Sequence, residues 1–174
     1  MFENTAGNTG QAVAAAVFDH SELNSNGPGF VTAQSRTSDD QQTGYVILNS
    51  RVTSSMDQGA EPMDAATPGA KSAATAKRMV GLGRPWRAYA RTVYLNTSLP
   101  PELNPAGWNN WGKPENEKTA WYGEYGSTGL GAASANRVPG AHPLKTEDVK
   151  KFLPANFLRG SDNWDPEAAA TKLP

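Results

Sequence analysis

Arg84 and Trp86 stand on either side of Pro85 in the stretch "GLGRPWRAYARTVYLN", residues 81–96. Proline fixes its own backbone and restricts the residue before it, so the two side chains leave the chain in set directions. A guanidinium held beside an indole suits a carboxylate carried on a flat body such as a sugar ring. The alternative is a surface arginine next to a core tryptophan. Trp108 and Trp111 of "PAGWNNW", with Trp121, Tyr122 and Tyr125 of "AWYGEYGSTGLGA", could extend a saccharide cleft. Aromatic faces stack on the C–H faces of sugars, but the same rings also plug the open side of a packed fold.

The other chemically capable residues are fewer. Asp39 and Asp40 are adjacent on a turn, where neighbouring side chains diverge, so they read as solvated turn residues and not as a proton-sharing pair. Gln11 in "GQAVAA" is either a satisfied core amide or a donor aimed at a developing oxyanion. His20 in "FDHSEL" has no nucleophile motif beside it and reads as structural. The chain has no cysteine, and His20 and His142 are its two histidines, which excludes thiolate chemistry and a multi-histidine metal site. Any reaction would rest on carboxylates, amides, arginine and aromatics.

The elements that must hold these residues follow from a repeat. Apolar runs ending in Asn and a hydroxyl residue recur as "FENT", "ELNS", "ILNS" and "YLNTS", with Asn4, Asn24, Asn49 and Asn96 spaced by 20, 25 and 47 residues. Such periods suggest a solenoid, in which asparagines at matching strand ends can stack as a ladder; the other reading is that Asn-Ser simply marks turns. The runs "GFVTAQS", "GYVILNSRVTS" and "RTVYLN" are short, β-branched and bounded by turn residues, as stacked parallel strands require. Residues 55–78 carry little apolar content and are expected to form a long loop. Thr146 ahead of Glu147 and Asp148 predicts a short helix ending near Pro154, and residues 160–174 a loose tail. The whole chain, 1–174, reads as one domain. A net charge of -1 argues against nucleic-acid binding, and no run is long enough to span a membrane. The opening "MFENTAG" has neither a basic nor an apolar leader region, so no signal peptide is expected in this chain.

In order, "FENTAGNTGQAVA", "AVFDHSELNSNGPGFVTAQSRTSDDQQTGYVILNSRV", "GLGRPWRAYARTVYLNT", "PAGWNNW", "YGEYGSTGLGA" and "VKKFLPANFLRG" resemble segments of the pectin methylesterases (pectinesterases). The resemblance implies an all-β, right-handed parallel β-helix. It implies hydrolysis of methyl esters on polygalacturonate without metal or cofactor, and a secreted or periplasmic location. In that family one aspartate is the nucleophile and a second the general acid/base. Two glutamines hold the oxyanion, an arginine holds the nucleophile, and a tryptophan packs on the sugar. Carried over by motif, the arginine is Arg84, the tryptophan Trp86 and the first glutamine Gln11; Tyr89 is expected to extend the substrate contact.

The departure from the family is equally specific. Members carry "YQDTLY"-type and "VDFIFG"-type motifs between the "QAVA" and "AVF" segments, and these hold the second glutamine and both aspartates. Here "QAVA" runs directly into "AAVFDH", and neither motif occurs in the sequence. Asp19 does not substitute, since its segment already matches the family downstream of the missing aspartate, and Asn8 would be a poor nucleophile. The expectation is a shortened β-helix with esterase activity weak or absent and residual binding of pectin or polygalacturonate. A different carboxylate, Asp19, Asp39, Asp40 or Glu124, is the rival route to hydrolysis. An inactive fragment that self-associates through exposed ends of the helix is the third reading.

Overall fold

The computed structural model describes residues 14–55, 79–160 and 163–171. These residues wind as a right-handed parallel β-helix. The first coil contributes β1 (Ala15–Asp19), β2 (Glu22–Ser25) and β3 (Gly29–Thr32); the second contributes β4 (Gly44–Leu48), β5 (Arg51–Ser54) and β6 (Val80–Gly83). The third opens with β7 (Arg91–Leu95) and continues through single parallel bridges from Ser98 to Arg51, Leu103 to Val80 and Trp108 to Gly83. β8 (Trp121–Tyr125) and β9 (Ala141–Pro143) follow. Like strands stack on like, giving a five-stranded sheet in the order β1-β4-β7-β8-β9 and two-stranded sheets β2-β5 and β3-β6.

Register explains the composition of the strands. Tyr45, Ile47, Tyr94 and Tyr122 point inward from the large sheet and pack with Val52, Leu82, Leu99 and Trp108. Val46, Leu48, Val93 and Leu95 point outward but are also buried, under Phe152 and its neighbours Leu144, Val149 and Phe157. Both faces of β4 and β7 are thus covered, which is why they read as continuous apolar runs and not as alternating ones.

The Asn–hydroxyl repeat has a definite role. His20, Asn49 and Asn96 have φ of 47°, 47° and 49°, and Gly126 follows at 63° in the next coil. Each sits just past a strand of the large sheet, where the chain turns through the left-handed region that asparagine tolerates better than most residues. Asn96 Nδ2 donates to Asn49 Oδ1 at 3.2 Å, and Asn49 Nδ2 donates to Asp19 Oδ1 at 3.1 Å. The next residue turns inward. Ser50 Oγ lies 2.6 Å from Leu48 O and accepts from Ser21 N at 3.0 Å, and the buried Thr97 hydroxyl lies 3.1 Å from Leu95 O. The ladder therefore exists, but Asn24 is not in it. Asn24 lies within β2 and donates to Ser55 Oγ at 2.8 Å, because an Asn-Ser pair also fits a strand edge. Asn4 lies outside the described residues. Asn49→Ala is expected to cost about 1–2 kcal/mol in urea unfolding, through strain and the lost ladder bonds, with Asn49→Gly costing less. Equal stability of the alanine variant and the parent would remove the ladder from the account.

The C-terminal segment differs from expectation in two places. Helix starts at Thr146 itself, with Lys145 before it and no side-chain cap, and Thr146–Val149 passes into a tighter turn at Lys150–Phe152. That run ends at Phe152, close to Pro154 as expected, and Pro154 then opens a second helical turn, Pro154–Phe157, as proline at a first helical position can. In the segment expected to be a loose tail, Pro166–Ala170 is helical, with Asp165 Oδ1 accepting from Glu167 N at 2.9 Å and Ala168 N at 3.2 Å. All but the first residue of the expected 55–78 loop lies outside the described residues.

Candidate functional site

Two glycines make the ground on which Arg84 rests. β3 pairs with β6 so that Phe30 lies opposite Gly81 and Thr32 opposite Gly83. A Cβ on Gly81 would collide with the Phe30 ring, and one on Gly83 with Thr32 Oγ1. With no side chain at either place, the ring of Phe30 lies against the strand. The Arg84 guanidinium carbon then sits 5.2 Å from the centre of that ring and 3.8 Å from the Trp111 ring. Trp86 meets Trp111 edge-to-face, with ring centres 5.3 Å apart and planes at 88°.

Trp111 reaches this position from a strained turn. Its φ is 62°, uncommon for a bulky residue, and Asn109 Oδ1 accepts from Trp111 N at 2.6 Å to close the turn. The result is a guanidinium fixed on an indole face by cation–π attraction, with Trp86 beside it and 58% exposed. Such a ledge can take a carboxylate on Arg84 while the open indole packs on the ring that carries it. Tyr89 belongs to the same segment; its N–H donates to Arg36 O at 3.0 Å.

Trp108, Trp121, Tyr94 and Tyr122 are packing residues. Trp108 is buried, stacked on Tyr122 at 4.2 Å, and its Nε1 donates to Glu124 Oε1 at 3.2 Å. Trp121 stacks against His142 at 5.3 Å and Phe152 at 5.2 Å, beneath the C-terminal turns. Burial pushes the Tyr122 hydroxyl, and burial followed by the Glu124 charge pushes the Tyr94 hydroxyl, far above the ordinary phenol range. Tyr94 stays a donor, bonded to Leu82 O at 2.9 Å.

The carboxylates proposed as a rival nucleophile have other engagements. Glu124 is buried and holds Arg137 through both oxygens, at 2.8 Å and 3.1 Å. Asp19 lies at the end of β1, 2.9 Å from His20 Nδ1. Asp39 pairs with Arg36 at 3.0 Å. Asp40 follows it in the same turn. Gln11 and Asn8 lie outside the described residues. Among the described residues no group of three or more His, Asp or Glu is placed to hold a metal, and no helix is long and apolar enough to cross a membrane.

Phe30 and Trp111 are the contributors that sequence reasoning missed or left undecided. The signal for Trp111 was the Asn pair before it, which favours a turn. Phe30 gave none, because its role depends on facing a glycine 51 residues away.

The sequence matches the family model described as Pectinesterase over residues 6–161. It is 40% identical over 147 residues to pectinesterase 2 of Citrus sinensis, covering 83% of this chain and 26% of that protein. It is 35% identical over 159 residues to a pectinesterase of Daucus carota, covering 87% of this chain and 46% of that one. Among solved structures, carrot pectin methylesterase superposes with a TM-score of 0.65 at 32% identity, covering 93% of this chain and 47% of that one. The deglycosylated pectin methylesterase of Aspergillus niger gives a TM-score of 0.56 at 27% identity, with 75% and 37% covered. The chain spans less than half the length of each of these relatives.

Proposed function

This chain belongs to the pectinesterase family, and from that premise we propose that it binds the galacturonate chain of pectin without hydrolysing its methyl esters at an enzymatic rate. The observation that carries the binding half is the ledge itself, with the Arg84 guanidinium 3.8 Å from the Trp111 ring and Trp86 open beside it. A sugar with a carboxylate on its ring presents the two surfaces this ledge complements: an apolar C–H face and an anionic fork acceptor. The catalytic half rests on the sequence. "QAVA" joins "AAVF" directly, and the family motifs that bring both aspartates do not occur. Covalent ester hydrolysis without nucleophile or acid/base has no first step. A secreted or periplasmic setting, where pectin is met, accompanies this reading.

The test is binding of polygalacturonate and of highly methylated pectin, measured by calorimetry on the parent, Arg84→Ala and Trp86→Ala. The parent should prefer polygalacturonate. Loss of a charge-assisted contact should weaken polygalacturonate binding about tenfold in Arg84→Ala, and Trp86→Ala should weaken both polymers. A parent that binds neither polymer, or alanine variants that bind as the parent does, would refute the proposal.

A further inference from the structure

The segment from Arg84 to Ala90 carries Arg84 and Trp86 of the ledge yet has no strand or helix of its own. On one side it is held by the next coil, where Thr119 Oγ1 donates to Ala88 O at 2.5 Å and Trp121 N to Ala90 O at 2.8 Å; on the other it is held by a neighbouring stretch, Thr32 to Arg36. Three backbone bonds tie the two together: Arg84 N to Thr32 O, Trp86 N to Gln34 O, and Tyr89 N to Arg36 O, each at 3.0 Å. Two side chains of that stretch then close over the far end. Gln34 is 1% exposed; its Oε1 accepts from Arg91 N at 2.8 Å while its Nε2 donates to Ser35 O at 2.8 Å. Arg36 is 4% exposed and donates to Tyr89 O at 3.4 Å, to Gln41 O at 3.0 Å, and to both the backbone and the carboxylate of Asp39.

A buried guanidinium is a costly way to fill space, and Asp39, an acidic partner among the described residues, is 88% exposed. Arg36 instead spends its donors on carbonyl oxygens of two loops, a pattern that fixes one loop relative to the other. We propose that Gln34 and Arg36 are positioning residues, which set the geometry of the Arg84–Tyr89 segment and so preorganise the ledge for its ligand. The inference rests on the pectin-binding reading for its ligand but not for its structural content. Neither side chain touches the ligand. Each acts by removing alternative conformations of the segment that does.

The substitutions Gln34→Leu, Gln34→Glu and Arg36→Lys separate this role from bulk stability. Glutamate keeps the acceptor for Arg91 N but loses the donor to Ser35 O, and leucine loses both. Lysine keeps the charge of Arg36 but not its fork. Two readouts apply, both taken where circular dichroism shows the variants folded. One is the affinity for polygalacturonate; the other is the rate of tryptic cleavage after Arg87, an exposed residue within the segment. Gln34→Leu and Arg36→Lys should bind about tenfold more weakly and be cut faster, while Gln34→Glu, which keeps one of the two bonds, should lose less than Gln34→Leu in both. Parent-like binding and cleavage in Gln34→Leu and Arg36→Lys would overturn the proposal. So would equal losses in Gln34→Leu and Gln34→Glu, which would make the acceptor irrelevant. If Gln34→Leu does not fold, Arg36→Lys decides alone. If the parent binds no polygalacturonate, the functional reading fails, and the cleavage rates still decide whether these residues hold the segment.

Discussion

Arg137→Ala is expected to destabilise the folded chain by about 3–5 kcal/mol, the range for removing one partner of a buried ion pair. Arg137 and Glu124 are 5% and 9% exposed, and the guanidinium meets the carboxylate through two bonds, at 2.8 Å and 3.1 Å. Its other donors reach Pro105 O at 3.0 Å and Gly131 O at 2.9 Å, so it also ties the loop after β8 to the turn before Trp108. Alanine would leave a carboxylate buried against Trp108 and Tyr94 with one indole N–H as its remaining donor. Removing both charges together, as in Glu124→Met with Arg137→Met, should recover much of that loss, because no uncompensated charge then remains. Urea unfolding followed by tryptophan fluorescence reads both variants. A loss below about 1 kcal/mol for Arg137→Ala would mean that the pair is hydrated and does not brace the final coils.

The second large effect concerns chemistry. Inserting two coils that carry "YQDTLY"-type and "VDFIFG"-type motifs between "QAVA" and "AAVF" should convert a binder into an esterase. Solenoids accept added coils because each coil contacts only its neighbours, and β1, paired in parallel with β4 on one side, is the end strand of its sheet among the described residues, so new strands would stack on its other edge. Removing a nucleophile and its base costs covalent enzymes on the order of a millionfold in turnover, so the gain should be of that scale if the inserted aspartates meet Arg84. The control is the same insertion with both aspartates changed to asparagine. Methanol release equal in the two insertions would show that the added coils do not build the site.

Much of this fold was legible in the sequence, for a physical reason. Stacked strands demand β-branched runs of similar length, and the left-handed turns after β4, β7 and β8 favour Asn or Gly, so Asn49, Asn96 and Gly126 recur visibly, with His20 the exception after β1. Asn24 was misplaced because the same dipeptide satisfies a different corner of the coil. "GRPW" was legible as half of a binding site because proline couples its neighbours locally. The other half was not. Trp111, Phe30, Gln34 and Arg36 owe their roles to register between coils, which no local pattern encodes. The engagement of Glu124 with Arg137 was hidden for the same reason, since 13 residues and a loop separate them.

The account centres on a chain that holds pectin and does not cut its esters. The most direct measurement is methanol release from highly methylated pectin by the parent chain, at a protein concentration where polygalacturonate binding is complete. The account predicts methanol at the rate of the protein-free control. Methanol that rises in proportion to protein, and that disappears when one of Asp19, Asp39, Asp40 or Glu124 is changed to alanine, would contradict it.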